Sequence, residues 1–391
     1  MSEFLRSLRD VIVSMRLTVV LLLLGMILVF VATIDQVHLG VWAVQEKYFR
    51  SFIVYTQVGG ITIPMFPGGY LIGGLFLINL IGAHFDRFKP VWRKSGIALT
   101  HFGLVMLLIG ELLSGLWQED YNMRLSPGET KNYSESYRAN ELVFINTSDP
   151  KFDEVVSIPE TLLAREGSLQ HPKLSFRVAI KHYYPNSSLE MRGKSQTAAP
   201  SEATAGIGPQ LIALPLPMTY KQDEHNNPTA FVELLGPDGS LGTYLVSTEL
   251  NMPQPLEVGG QKWKIALRAK RAYKPFSLTL VKFSHDRYPG TEIPKNFSSR
   301  IHLTTPDGRD DRDVLIYMNN PLRYGGYTFY QHQMEAARGL TGLQVVRNPG
   351  WLLPYIACVM MTLGLVLQFG LSLFAFNAKR RAKAAAQPKA A

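Results

Sequence analysis

The chain has 391 residues, 46% of them hydrophobic and 18% charged, with a formal net charge of +9 and one cysteine. Two or three domains fit that length, while the lone thiol, Cys358, excludes a disulfide framework, a CxxC redox pair and a CxxCH haem-attachment site within the chain. The positive excess is not a nucleic-acid footprint. Arg87, Lys89, Arg93 and Lys94 lie between two apolar runs, and Lys379, Arg380, Arg381, Lys383 and Lys389 follow the last one, where membrane proteins keep cytoplasmic anchors.

In chain order, residues 1–16 form a short basic segment with Arg6, Arg9 and Arg16, followed by a first span at 17–34, eighteen residues without a charge. A signal peptide shares those basic flanks, but the run is too long for its apolar region and "DQVHLGVW" offers no small-x-small cleavage site, so the span reads as uncleaved. A loop at 35–65 holds only Lys47 and Arg50 as basic residues. The second span, 66–83, carries Gly69 and Gly73, a small-xxx-small pair that lets another helix approach. A basic loop at 84–95 leads to the third span, 96–117, in which Gly96, Gly103 and Gly110 recur every seven residues along one stripe. The fourth span, 351–376, has Trp351 at its entry and precedes a basic tail at 377–391. The Lys and Arg distribution predicts both termini in the cytoplasm and residues 118–350 outside it, which in a diderm bacterium is the periplasm.

Residues 118–350 read as many short strands. "ELVFIN", "LSFRVAIKHYY", "AFVELL", "KWKIALRAKRAY" and "FSLTLVKFSHDRY" show alternation or β-branched and aromatic enrichment, and "GPDGS", "TPDGRD" and "EVGGQ" mark turns. The expected fold is a β-rich sandwich or twisted-sheet domain inserted between the third and fourth of four transmembrane helices. The Ser187–Pro217 stretch, rich in Ser, Ala, Gly and Pro, reads as a long loop or disordered insertion.

Chemistry has few candidate carriers. No P-loop, GxGxxG, HExxH or nucleophile motif is present, so a self-contained enzyme has no residue support. His171, His182, His225, His285 and His302 sit in strand or loop contexts without ligand spacing, and His38 and His84 occupy interfacial positions that suit histidine without any function. His101 differs, because it lies about five residues, or roughly 7–8 Å, inside the third span. An ionisable group there needs a reason. One is a hydrogen bond to a neighbouring helix, and the other is a neutral imidazole offering a nitrogen to haem iron. Glu111 is about 15 Å further along and rotated by roughly 80°, so it cannot share a metal with His101. It reads as a carboxylate reaching the outer headgroup layer or a partner helix.

Several segments resemble the ResB/Ccs1 family of system II cytochrome c biogenesis. "SMRLTVVLLLLGMILVFVATIDQ" looks like the family's first span and "GIALTHFGLVMLLIG" like its third, with the histidine in the matching place. "MRLSPGETKNY" resembles the opening of the outer domain, and "NNPLRYGGYTFYQHQM" the segment before the last span. The resemblance covers nearly the whole chain. It implies an obligate subunit, not catalytic alone, of a haem-handling cytochrome c synthase in the bacterial inner membrane. Haem b in transit would be passed to the CxxCH sites of apocytochromes c with a CcsA/ResC-type partner. The family's histidine maps onto His101 as an axial ligand of the haem iron, with Gly103 leaving room for the ring. The partner carries a tryptophan-rich segment, whereas Trp42, Trp92, Trp117, Trp263 and Trp351 are scattered here. His332 lies outside the family pattern and reads as an exposed polar residue. The competing class is a noncatalytic membrane-anchored scaffold whose outer β-domain binds a partner protein.

Overall fold

The computed structural model describes residues 3–87, 91–193, 201–219, 225–291, 294–335 and 339–386. Two compact units result, one chiefly Met1–Glu119 with Asn348–Ala391, the other chiefly Asp120–Thr219 with Asp223–Arg347.

The first unit is helical. It comprises α1 (Glu3–Ile12), α2 (Met15–Val44), α3 (Gly69–Arg87), α4 (Ser95–Trp117) and a C-terminal helix, Leu353–Ala386. Four of its helical segments, Met15–Phe49, Gly69–Asp86, Trp92–Trp117 and Leu353–Ala382, are long and apolar enough to cross a bilayer. Their outward faces expose Val19, Leu22, Met26 and Phe30 on α2, and Phe369 and Phe374 on the last helix. A continuous apolar surface of that kind belongs in lipid, and the chain is a multi-pass membrane protein.

The basic N-terminal segment forms a helix of its own. On α1, Phe4, Leu5, Leu8 and Val11 share one exposed apolar face. The chain then breaks at Val13–Ser14, where the Ser14 hydroxyl caps α2 by accepting the Leu17 N–H at 3.1 Å. Asn79 of α3 fixes the break by donating to the carbonyls of Ile12 (2.6 Å) and Ser14 (3.1 Å), and Arg9 pairs with Asp86.

The 35–65 segment is not an open loop. The first helix runs on to Val44, interrupted at Gly40 (φ 79°), and a π turn follows at Gln45–Phe49. In a straight helix residues 35 and 47 would stand about 18 Å apart along the axis. The break at Gly40 folds the chain back, so that the Asp35 carboxylate accepts from Lys47 Nζ at 2.8 Å and from the Tyr48 hydroxyl at 2.7 Å. Ile53–Val58 and Ile61–Pro67 then form a hairpin that turns at Gly59 and Gly60, both at positive φ.

The seven-residue glycine stripe of α4 packs on the C-terminal helix. A Cβ at Gly96 would fall 2.6 Å from the Gln368 backbone nitrogen, one at Gly103 2.7 Å from Met361 Cγ and 2.9 Å from the Ala357 carbonyl, and one at Gly110 3.0 Å from Leu353 Cβ. Small residues permit this backbone-close approach, which side chains would forbid.

The second unit is β-rich. Its spine is the 27-residue strand Gln261–Arg287, antiparallel to Thr130–Asn146 on one side and Pro294–Thr304 on the other. One core lies under its first half. Trp263, Ile265 and Leu267 meet Leu142 and Phe144 there, and Val178, Ile180, Val232 and Leu234 come from a four-stranded sheet facing them. The other core lies under its second half, where Phe276, Leu278 and Leu280 meet Met123, Ile301, Phe329 and Val345. The inward residues change from odd to even numbers between the cores. The register shifts near Ala269–Arg271 and Tyr273–Leu278 supply that change.

The Ser187–Pro217 reading needs correction. Ser187–Met191 pairs antiparallel with Leu211–Pro215, and Asn186 Nδ2 donates to the Pro217 carbonyl at 2.7 Å. Ala203 and Leu211 are buried with Phe231 and Leu245, which anchors the described part of this stretch despite its low-complexity composition. Residues 194–200 within it lie outside the described residues.

Candidate functional site

Few ionisable side chains lie in the spans, and two of them meet at one end of the α3–α4 pair. α3 and α4 form an antiparallel hairpin whose connection is short, so residues equidistant from its centre stand at one level. His84 in the last turn of α3 and His101, seventh residue of α4, satisfy that condition about a midpoint between Trp92 and Arg93. Their rings stand 6.0 Å apart, centre to centre, with 35° between planes. The Phe102 ring meets His84 edge-on at 5.0 Å, giving the pair an apolar wall.

The hydrogen-bonding of His101 decides its chemistry. Its Nδ1 stands 2.8 Å from the Ile97 carbonyl one turn earlier. A carbonyl only accepts, so Nδ1 carries a proton, and in the neutral ring the Nε2 lone pair is the one left available. That is the state required of an imidazole that ligates a metal, with the backbone carbonyl orienting the ring. Two imidazoles on opposite faces of one metal, at bonds of about 2 Å, have ring centres on the order of 6 Å apart. His84 and His101 are therefore close enough to serve one site. Arg93 and Lys94, exposed in the turn before α4, add positive charge at the same end. The side chain of Arg87 and all of Lys89 lie outside the described residues.

Gly103 does not make room beside His101. Residues two apart on a helix point in nearly opposite directions, and the space at Gly103 is filled by Met361 and Ala357 of the C-terminal helix. Its role is helix packing, which replaces the reading of Gly103 as a ring-accommodating residue. Glu111 lines a separate cleft toward the other end of α4.

The histidines of the β-rich unit form no ligand set. His302 lies between Asp311 (2.9 Å) and Asp313 (2.8 Å), His182 is 3.6 Å from Glu202, and His285 stacks on Phe297 at 4.6 Å. His332 is exposed in the strand Tyr327–Glu335. Among the described residues no group of three or more His, Cys, Asp or Glu side chains is arranged to hold a metal ion. Sequence reasoning passes over His84 because one interfacial histidine carries no signal alone. The signal lies in its symmetry with His101 about the 84–95 connection.

Comparison with known proteins adds two findings. A family model described as the ResB-like family matches residues 257–339, which fall in the β-rich unit. Protein NrfI of Wolinella succinogenes is 27% identical over 188 residues, a match covering 47% of this chain and 20% of that protein. The chain thus spans about a fifth of the length of the curated relative it matches.

Proposed function

We propose that the chain is a member of the ResB-like family, whose model matches residues 257–339, and a subunit of a cytochrome c maturation complex that takes up haem within the membrane. The orientation that supports this reading has both termini and the 84–95 connection in the cytoplasm and the β-rich unit outside. His84 and His101 would then lie near the cytoplasmic face of the inner membrane, where haem b enters as cargo. His101 offers Nε2 to the iron and His84 the second imidazole at that level. Arg93 and Lys94 attract the propionates. A CcsA/ResC-type partner receives the haem and presents it to apocytochrome c outside. The bond-forming chemistry belongs to the cargo and the recipient's thiols. This chain's share is binding and orientation.

The observation that carries the proposal is the pair of imidazoles 6.0 Å apart, one of them oriented by its Nδ1 contact to the Ile97 carbonyl. The test is the absorption spectrum of the purified complex carrying His101→Gly or His84→Gly, with and without added imidazole. Loss of haem in His101→Gly that imidazole restores is expected, together with a change from low-spin to high-spin bands in His84→Gly. A haem-loaded wild type whose spectrum neither substitution alters would reduce the pair to helix packing. It would leave the chain as a scaffold whose β-rich unit binds a partner protein.

A further inference from the structure

Toward the Trp117 end of α4, a cleft of about 390 Å³ lies between α3 and α4. The π turn after α2 contributes Gln45 and Phe49 to its lining, the residue that follows it Arg50, α3 contributes Tyr70, and α4 contributes Glu111 and Leu112. At Gly73 and Gly74 of α3 a Cβ would meet nothing within 4 Å, so the cleft reaches the helix backbone. Gly73 also lines a second, largely apolar groove of about 640 Å³ between α2 and α3, walled by Leu21, Met26, Phe30, Ile72 and Phe76. Two apolar channels therefore flank one slim stretch of α3, and each is of a size that holds a small ligand.

The cleft is lined by one guanidinium and one carboxylate that do not pair with each other. Arg50 Nη1 bonds to Glu46 at 2.9 Å, and among the described residues Glu111 has no ion pair or hydrogen bond. With Arg50 held by Glu46, Glu111 is left open to a cationic partner. A ligand suited to this place carries hydrocarbon chains, an acceptor for the remaining Arg50 donors and an N–H cation for Glu111. We propose that the cleft binds one ethanolamine phospholipid, its phosphate against Arg50, its ammonium against Glu111, and its acyl chains in the grooves on either side of Gly73. A glycerol headgroup lacks the cation. A choline headgroup lacks the N–H donors. This site is independent of the haem reading, because it shares no residue with the His84–His101 pair.

The test is native mass spectrometry of the full-length protein after exchange into equal amounts of ethanolamine, glycerol and choline phospholipids, followed by a delipidating detergent wash. The wild type is expected to retain one ethanolamine lipid. Glu111→Gln should lower that retention about tenfold, equivalent to one factor of ten in affinity. Gly74→Phe should abolish it by filling the cleft, with an unchanged unfolding temperature because its Cβ enters open space. Equal retention of all three lipids would overturn the proposal in favour of non-selective annular lipid. Retention by Glu111→Gln equal to wild type would overturn it as well, as would cross-linking from position 112 to a co-purified helix in place of lipid. Haem absorbance read on the same samples reports separately on His84 and His101.

Discussion

Lys274 shows what a single charge does inside the β-rich unit. It is 4% exposed on the central strand, donating from Nζ to Ser134 Oγ at 2.5 Å and to the Ala272 carbonyl at 3.1 Å, with the Tyr327 ring 4.5 Å away. Burial pushes its pKa down to about 8. In the unfolded chain a lysine titrates near ~10.4, so between about pH 8 and ~10.4 the unfolded state holds a proton the folded state has released, and stability rises with pH. Below about pH 8 both states are protonated and the cost of burying the charge is felt in full. It amounts to about 3 kcal/mol, at roughly 1.4 kcal/mol for each tenfold loss of proton affinity. Lys274→Met removes that cost but leaves the Ser134 hydroxyl without its donor, a loss of about 1 kcal/mol. The expected net gain at pH 7 is ~1–2 kcal/mol, shrinking to nothing near pH ~10. Denaturant unfolding of both proteins at the two pH values checks it, and a pH-independent difference would contradict the burial argument. At this scale the sequence is legible where one residue breaks a pattern. His101 stands out because it interrupts an apolar run. Lys274 and His84 do not, since a lysine in a strand and a histidine at a span's edge are ordinary until the fold shows their neighbours.

Glycine periodicity at the element scale is readable, and the partner it serves is not. Gly96, Gly103 and Gly110 announce a groove on α4, yet only the structure identifies the C-terminal helix, more than 230 residues away, as its occupant. Gly364 answers from that helix, where a Cβ would stand 2.7 Å from the Thr100 nitrogen and 2.8 Å from the Gly96 carbonyl. Backbone atoms cannot step aside as a flexible side chain can, so Gly103→Leu must spread the two helices. A cost of about 1–3 kcal/mol is expected, as for other overpacked interiors. Gly25→Ala on α2 is the control, because its Cβ meets nothing within 4 Å. Thermal unfolding in detergent should separate the two, with Gly103→Leu lowered and Gly25→Ala unchanged. The same scale shows why the 35–65 segment reads as a loop and folds otherwise. Hydropathy ends the first span at Asp35, but the carboxylate is satisfied locally by Lys47 and Tyr48, so the helix continues beyond the apolar run. A hydropathy count sees the charge and not its partner.

For the whole molecule, four spans and their flanking charges make a prediction that local packing cannot. Four crossings would put both ends on one side and the segment between the third and fourth spans on the other. The 84–95 connection and the 377–391 tail hold nine Lys and Arg between them, against two in 35–65. That asymmetry predicts cytoplasmic termini. Cysteine accessibility measures it directly, since Cys358 is the single native thiol and can be replaced by Ala. In that background Lys151→Cys lies on the exposed surface of the β-rich unit, while Arg6→Cys and Arg380→Cys lie on exposed turns of α1 and the C-terminal helix. A membrane-impermeant maleimide applied to cells with a permeabilised outer membrane should label position 151 at once, and positions 6 and 380 only after lysis. The reverse pattern would move the His84–His101 pair to the outer face, because that pair sits at the end of the bundle where α3 hands over to α4. Haem could then not enter there from the cytoplasm, however well the imidazoles fit it. Orientation and cargo chemistry therefore stand or fall together at that one end.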